Sequence, residues 1–479
     1  MDKNKVVSGL IWRCLERFGA QAVSFVVSIV LARLLEPSVY GSVALVTVIT
    51  SLLQVFVDSG MGNALIQKKN ADELDFSTMF VFNLIIGVVL YAIAFALAPA
   101  IAAFYNMPEL VAVIRVLSVV LVISGVKNVQ QAYISRTMQF KRFFFATLGG
   151  TIGAAIVGIG MAWAGFGVWA LVGQYIFNST VDTIILWITG DWRPKFRFSF
   201  QRFKTLYAFG WKLLVASLLD TIYTDCTQLA MGKVYSVENL AYFNRGKVYP
   251  GLIVISVNSS IESVVFPAMA KVQDDISRLR AMTRRYIQVG IYVMAPLLIG
   301  LAFVGQSVIR IMLTDKWLDC VIYLQIFCII YMFMPIQTAN LNAIKALGKS
   351  GLVLKMEYIK KIIGMVTLLG TVWISVKAIA YGMLVVCLMN QIINAYVQKK
   401  LIDYGYLEQL ADVLLPIVLA AIMGVCIYPI SLFHLPDLIC LIAQILIGAC
   451  IYLVSSRLLK LPGFDLMWNM VTSLIKKSD

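Results

Sequence analysis

Apolar stretches, separated by short polar breaks, run the length of the chain. About twenty residues of helix rise roughly 30 Å, the thickness of a bilayer's hydrocarbon core. The pattern therefore predicts membrane-spanning helices, about fourteen of them. The first half has them at 10–34, 39–60, 77–103, 110–134, 143–164 and 168–189. The second half has 205–230, 239–267, 284–306, 320–346, 355–375 and 377–398, and two more follow at 411–431 and 437–458. The stretches 205–230 and 239–267 are unusually polar for this series.

The polar breaks carry a second pattern. Alternate breaks are basic: Lys68 and Lys69; Arg136, Lys141 and Arg142; Arg193, Lys195, Arg197, Arg202 and Lys204; Lys271, Arg278, Arg280, Arg284 and Arg285; Lys349; Lys399 and Lys400. The breaks between them are nearly bare of charge, at Asn106-Met107-Pro108, at 164–167 and at His434-Leu435-Pro436. Cations gather on the cytoplasmic side of a membrane protein, so both termini are expected in the cytoplasm. Arg33, Lys233, Arg310, Lys316 and Lys377 fall on the other side and are exceptions.

The longest basic break, RPKFRFSFQRFK at 193–204, lies near the middle of the chain. It works as a topology signal and attracts anionic lipid. The segments on either side of it align in one register: Arg33 against Lys233, Leu34 against Val234, Gly41 against Ala241, and ALIQ (64–67) against VVFP (264–267). Six predicted spans lie on each side. The expected fold is thus an all-α polytopic membrane protein with two six-helix lobes, related by a pseudo-twofold along the membrane normal. The lobes are 1–192 and 205–400, joined by the cytoplasmic linker 193–204. Residues 401–479 add helices 13 and 14 and a cytoplasmic tail.

Composition agrees with this class. The 479 residues are 60% hydrophobic and only 14% charged, too few charges for a water-facing surface of that size. The net charge of +15 would suggest nucleic acid in a soluble protein, but here the cations sit in the loops and no nucleic-acid partner is expected. The eight cysteines form no CxxC pair, and His434 is the sole histidine, so neither a metal nor a cofactor is expected. The N-terminus MDKNK shows no cleavage site after a short apolar core, so no cleaved signal peptide is expected.

The opening stretch, SGLIWRCLERFGAQAVSFVVSIVLARLLEPSVYG, resembles polysaccharide and O-antigen flippases of the Wzx type. These belong to the superfamily of multidrug, oligosaccharidyl-lipid and polysaccharide exporters. The landmarks are Trp12, Gln21, LARLL at 31–35, Pro37, Tyr40 and Gly41. VDSGMGNALIQKK (57–69) and AYFNRGKVYPGLIVISVNSSIESVVFPAMAKVQ (241–273) resemble two further landmarks. The resemblance covers both lobes and implies a MATE-like fold in the bacterial cytoplasmic (inner) membrane. It implies a flippase that carries a polyprenyl-pyrophosphate-linked oligosaccharide to the outer leaflet by alternating access. Coupling to a proton or Na+ gradient is implied too. Partners would be that glycan, membrane lipids and other glycan-assembly membrane proteins.

A pyrophosphate leaving water calls for cations inside the membrane, where one Arg or Lys costs roughly 2.5–3.5 kcal/mol on insertion scales. Arg245 and Lys247, about two turns inside a span, are the first candidates for substrate binding. Asn244 and Gly246 beside them suggest a polar, closely packed wall. Arg13 and Arg17 share a face with Glu16, and Lys212 lies early in the seventh span; the two arginines could equally snorkel to headgroups. The intramembrane carboxylates Asp58, Asp182, Asp220, Asp225 and Glu262 are candidates for ion coupling or for charge balance.

Three other functions fit parts of the pattern. A lipid II flippase shares the charge logic. A multidrug exporter of the same fold would favour an acidic or aromatic cavity for cationic substrates. A membrane polysaccharide polymerase or ligase needs a large outer loop, and the loops here are short. No G-x-x-x-x-G-K-[ST] phosphate loop is present, so the chain carries no such ATP site to drive transport.

Overall fold

The computed structural model describes residues 3–58, 61–68, 71–137, 139–433 and 436–467. The predicted His434 turn and the tail beyond 467 lie outside the described residues. Each of the fourteen predicted stretches falls on helix. In the first half these are α1 (Lys3–Leu34), α2 (Pro37–Asp58), the short α3 (Met61–Gln67) and α4 (Glu73–Tyr105). They are followed by α5 (Leu110–Leu117), α6 (Val119–Arg136), α7 (Phe140–Trp163) and α8 (Val168–Thr189). Then come α9 (Phe200–Val234), α10 (Val237–Lys271), α11 (Ile276–Leu313), α12 (Val321–Met332) and α13 (Met334–Ala346). The chain ends in α14 (Ser350–Thr371), α15 (Val376–Ile402), α16 (Tyr406–Ile427) and α17 (Asp437–Leu458).

Among the described residues, ten helical segments are long and apolar enough to cross a membrane, or eleven if the bent α9 counts as one. α8 and α14 are of spanning length but fall short in apolarity, and much of α10 lies outside the residues whose side chains are described. The expected count of fourteen spans is not shown: length and apolarity support ten or eleven among the described residues.

Local sequence explains the breaks. Pro37 can open α2 because the first helical turn needs no N–H from it. Asn106 ends α4 in the left-handed conformation, φ 56°. Gly165 and Gly167, at φ 81° and 53°, turn the chain between α7 and α8. The register seen in the sequence recurs in these breaks: α1 ends at Leu34 and α9 at Val234, while α2 begins at Pro37 and α10 at Val237.

The contacts divide the chain into two compact units, 1–241 and 242–479. The division falls near the start of α10, beyond the basic linker, because α9 packs on α2, α3 and α4. In the first unit α7 and α8 meet along small residues. A side chain at Gly150 would lie 2.8 Å from Asn178 Oδ1, and one at Gly158 would lie 3.1 Å from Gln174 Cβ. Close backbone approach of this kind supplies packing where lipid removes the hydrophobic drive between helices. In the second unit α11 is the central helix, packed against α12, α13, α16 and α17.

The basic linker is held down rather than loose. Its backbone N–H groups at Lys195 and Ser199 donate to Ser77 Oγ and Thr78 Oγ1, both at 3.2 Å. Lys195 pairs with Glu73 at 2.8 Å and Arg202 with Asp72 at 3.0 Å. Residues 200–204, expected as linker, form the first turn of α9 with Ser199 as its cap. Asp75 is fully buried and pairs with Lys68 at 2.6 Å. Asp72 and Asp75 form a reciprocal cap on α4. The Asp75 N–H holds Asp72 below the ordinary aspartate value of 3.8; Arg202 acts in the same direction and burial opposes it. A lowered carboxyl contributes its full stability at pH above the ordinary value and loses it progressively as pH falls from there through the lowered value. Asp72→Ala is expected to lose about 1 kcal/mol of stability at neutral pH, the worth of a cap. Asp72→Asn should lose less, since it keeps the cap acceptor. Equal thermal midpoints for all three proteins in detergent would contradict this.

The second unit repeats the device. Arg284 of α11 pairs with Asp412 of α16 at 2.7 Å, and Arg280 with Glu408 at 3.1 Å. The Tyr404 hydroxyl donates to Asp412 at 2.8 Å. Cations expected from the sequence to set topology thus also tie helix ends together.

Candidate functional site

Arg245 is 6% exposed in α10, with its guanidinium 5.1 Å from the Trp317 ring centre. Cationic attraction to an indole face helps offset the loss of water around such a charge. Lys247 lies 5.7 Å from the Phe243 ring and 5.5 Å from the Phe327 ring. The two cations thus lie against different aromatic groups, as a two-residue separation on a helix requires. Gly246 does allow close approach, but α12 uses the space. A Cβ there would lie 2.6 Å from Tyr323 Cβ and 2.8 Å from the Leu324 backbone N.

The first unit holds most of the other candidates. Asp182 of α8 accepts from Lys127 of α6 at 3.2 Å, and its Oδ1 is buried without a hydrogen bond. Asp225 of α9 accepts from Ser51 of α2 at 2.8 Å. Asp220, Lys212 and Arg17 are exposed on their helices. Glu16, beside Arg17, accepts from Thr147 at 3.2 Å. The side chains of Arg13 and Glu262 lie outside the described residues. Among the described residues no group of three or more His, Cys, Asp or Glu is placed to hold a metal.

Asp58 ends α2 beside a cleft of about 470 Å³ between α2, α3, α6 and α9. Gln54 and Asn128 both donate to its Oδ1, each at 2.8 Å. Asn128, Gln131 and Ser135 of α6 and Ser217 of α9 supply the other polar groups. The sequence reading missed these four. For the three on α6 the signal is a polar stripe through an apolar span, Ser124, Asn128, Gln131 and Ser135, recurring at helical spacing.

Ten or more helical segments able to span a bilayer define a multi-pass membrane protein. The chain belongs to the polysaccharide biosynthesis protein family, whose sequence pattern matches residues 30–322. It is 24% identical to the lipopolysaccharide biosynthesis protein WzxC of Escherichia coli K12 over 428 residues, covering 87% of this chain and 86% of that one. It is 23% identical to the teichuronic acid biosynthesis protein TuaB of Bacillus subtilis 168 over 389 residues, 80% of each. Its fold is that of the lipid II flippase MurJ in an inward closed conformation. The TM-score is 0.75 at 15% identity, covering 96% of this chain and 100% of that one.

Proposed function

We propose that the chain flips a polyprenyl-pyrophosphate-linked oligosaccharide, the repeat unit of an O-antigen, capsule or exopolysaccharide, from the inner to the outer leaflet. The observation that carries this reading is the buried Arg245, an intramembrane cation inside the segment matched to the polysaccharide biosynthesis family. A diphosphate repays the cost of such a charge, and guanidinium geometry suits its oxygens. The names of the Escherichia coli and Bacillus subtilis relatives support a glycan as cargo.

Alternating access between two six-helix lobes, 1–192 and 205–400, is the movement we assign. Both termini lie in the cytoplasm, on the side of the basic breaks. A proton or sodium gradient drives the cycle through carboxylates of the set Asp58, Asp182, Asp220, Asp225 and Glu262. A lipid II flippase makes the same demand for a diphosphate site and differs in the sugar carried.

The test is a strain from which the chain has been deleted. It is expected to lose surface glycan and to accumulate the lipid-linked oligosaccharide, and the restored chain reverses both. Unchanged surface glycan alongside a lost tolerance of cationic drugs would replace this reading with drug export.

A further inference from the structure

We infer that the cleft beside Asp58 is a subsite for the sugar head of the cargo, separate from any phosphate site; this rests on the flippase reading above. Four observations carry it. No Lys or Arg is among the residues lining the cleft, so it offers a diphosphate no counter-charge. Asp58 itself would repel one.

The cleft is rich in unspent hydrogen-bonding capacity. Gln54 and Asn128 hold the Asp58 carboxylate by one oxygen, and among the described residues Oδ2 accepts nothing. Among the described residues the side chains of Gln131, Ser135 and Ser217 make no hydrogen bond either. A carboxylate, carboxamides and hydroxyls are the groups that pair with sugar hydroxyls as both donors and acceptors.

The remaining wall is aliphatic: Val55, Ile66, Leu213 and Leu214. Sugar rings present C–H faces as well as hydroxyls, so a wall of this kind matches their other surface. A volume of about 470 Å³ lies in the range of small-molecule sites.

The cleft also sits in a constrained frame. α2 and α6 are joined across it by the Asn128–Asp58 bond, and Arg136 binds the Leu65 carbonyl at 2.7 Å to hold the end of α3. Groups fixed before binding lose less freedom when a ligand arrives.

The experiment uses the full chain in its own deletion strain. A photoreactive benzophenone replaces Leu213 inside the cleft (Leu213→benzoylphenylalanine). As control it replaces Ile156, 70% exposed on α7 (Ile156→benzoylphenylalanine). After illumination the purified chain is oxidised with periodate and probed with a hydrazide dye, which reports vicinal diols of any glycan. Dye is expected on the Leu213 variant and not on the Ile156 variant.

In parallel, Asp58→Asn should lower export about tenfold, the difference between a charged and a neutral hydrogen bond. Ser217→Trp, which fills the cleft, should lower it further at equal protein level. Wild-type export by both variants, or a Leu213 adduct that contains lipid phosphate but no oxidisable sugar, overturns the subsite. Loss of gradient dependence in Asp58→Asn with the adduct retained overturns the sugar role of Asp58. Failure of the unmodified chain to restore glycan overturns the flippase reading itself, so the two failures are distinct.

Discussion

Gly41→Ala is expected to remove most folded protein from the membrane. A Cβ at Gly41 would lie 1.9 Å from the Val237 carbonyl oxygen and 2.5 Å from its carbon. These are backbone atoms of α10 and cannot swing aside as a side-chain tip can. The start of α2 would have to part from the start of α10. Overpacking of a tight interface typically costs about 1–3 kcal/mol, and a clash with backbone lies at the upper end or beyond. The measurement is protein level and thermal midpoint in detergent. Gly160→Ala is the control, because nothing lies within 4 Å of a Cβ there. Gly160→Ala should be neutral or slightly stabilising, as alanine favours helix. A Gly41→Ala protein with wild-type level and midpoint would show that the two helices do not meet as described.

Arg245 carries the second large expectation. Its burial against Trp317 already gives it a part in packing α10. Holding substrate phosphate makes a separate demand, and three variants distinguish the two. Arg245→Met keeps much of the apolar stem without the charge, Arg245→Lys keeps the charge without the fork, and Arg245→Ala keeps neither. If the charge serves the cargo, Arg245→Met and Arg245→Ala should lose export by roughly ten- to a hundredfold, the worth of a charge-assisted hydrogen bond. Arg245→Lys should retain part of it. Surface glycan, normalised to protein in the membrane, is the readout. Wild-type export by Arg245→Met with a lowered midpoint in Arg245→Ala would leave Arg245 as packing alone.

The helices were legible because an apolar run of spanning length leaves the backbone few alternatives to helix. The break after LARLL was legible too, because proline at 37 suits only the first turn of a new helix. The Tyr40-Gly41 landmark gains a physical reason only in the structure, where Gly41 faces the Val237 backbone. Pairings were not legible. Nothing in the sequence joins Lys127 to Asp182 or Ser51 to Asp225, because a charge or hydroxyl does not name its partner across distant helices. The contact boundary in α10 was hidden for a similar reason: a basic linker marks where the pattern repeats, whereas contacts depend on which faces of α9 find neighbours. The polar stripe on α6 could have been read, since its spacing is helical, but its apolar surroundings masked it.

The polarity of α10 has a consequence for biogenesis. A nascent helix partitions from the translocon according to its own sequence, and each Arg, Lys or Asp near its centre opposes entry by about 2.5–3.5 kcal/mol. α10 carries Arg245 and Lys247 in its N-terminal third. Phe243, beside Lys247, lies on α10 itself, but the other aromatic rings at those cations, Trp317 and Phe327, and the close partner of Gly246, Tyr323, are made after α11. At the moment of its synthesis α10 therefore lacks the neighbours that make its charges tolerable. A chain released between α11 and α12 therefore leaves Arg245 and Lys247 without those partners, and α10 open to quality-control proteolysis.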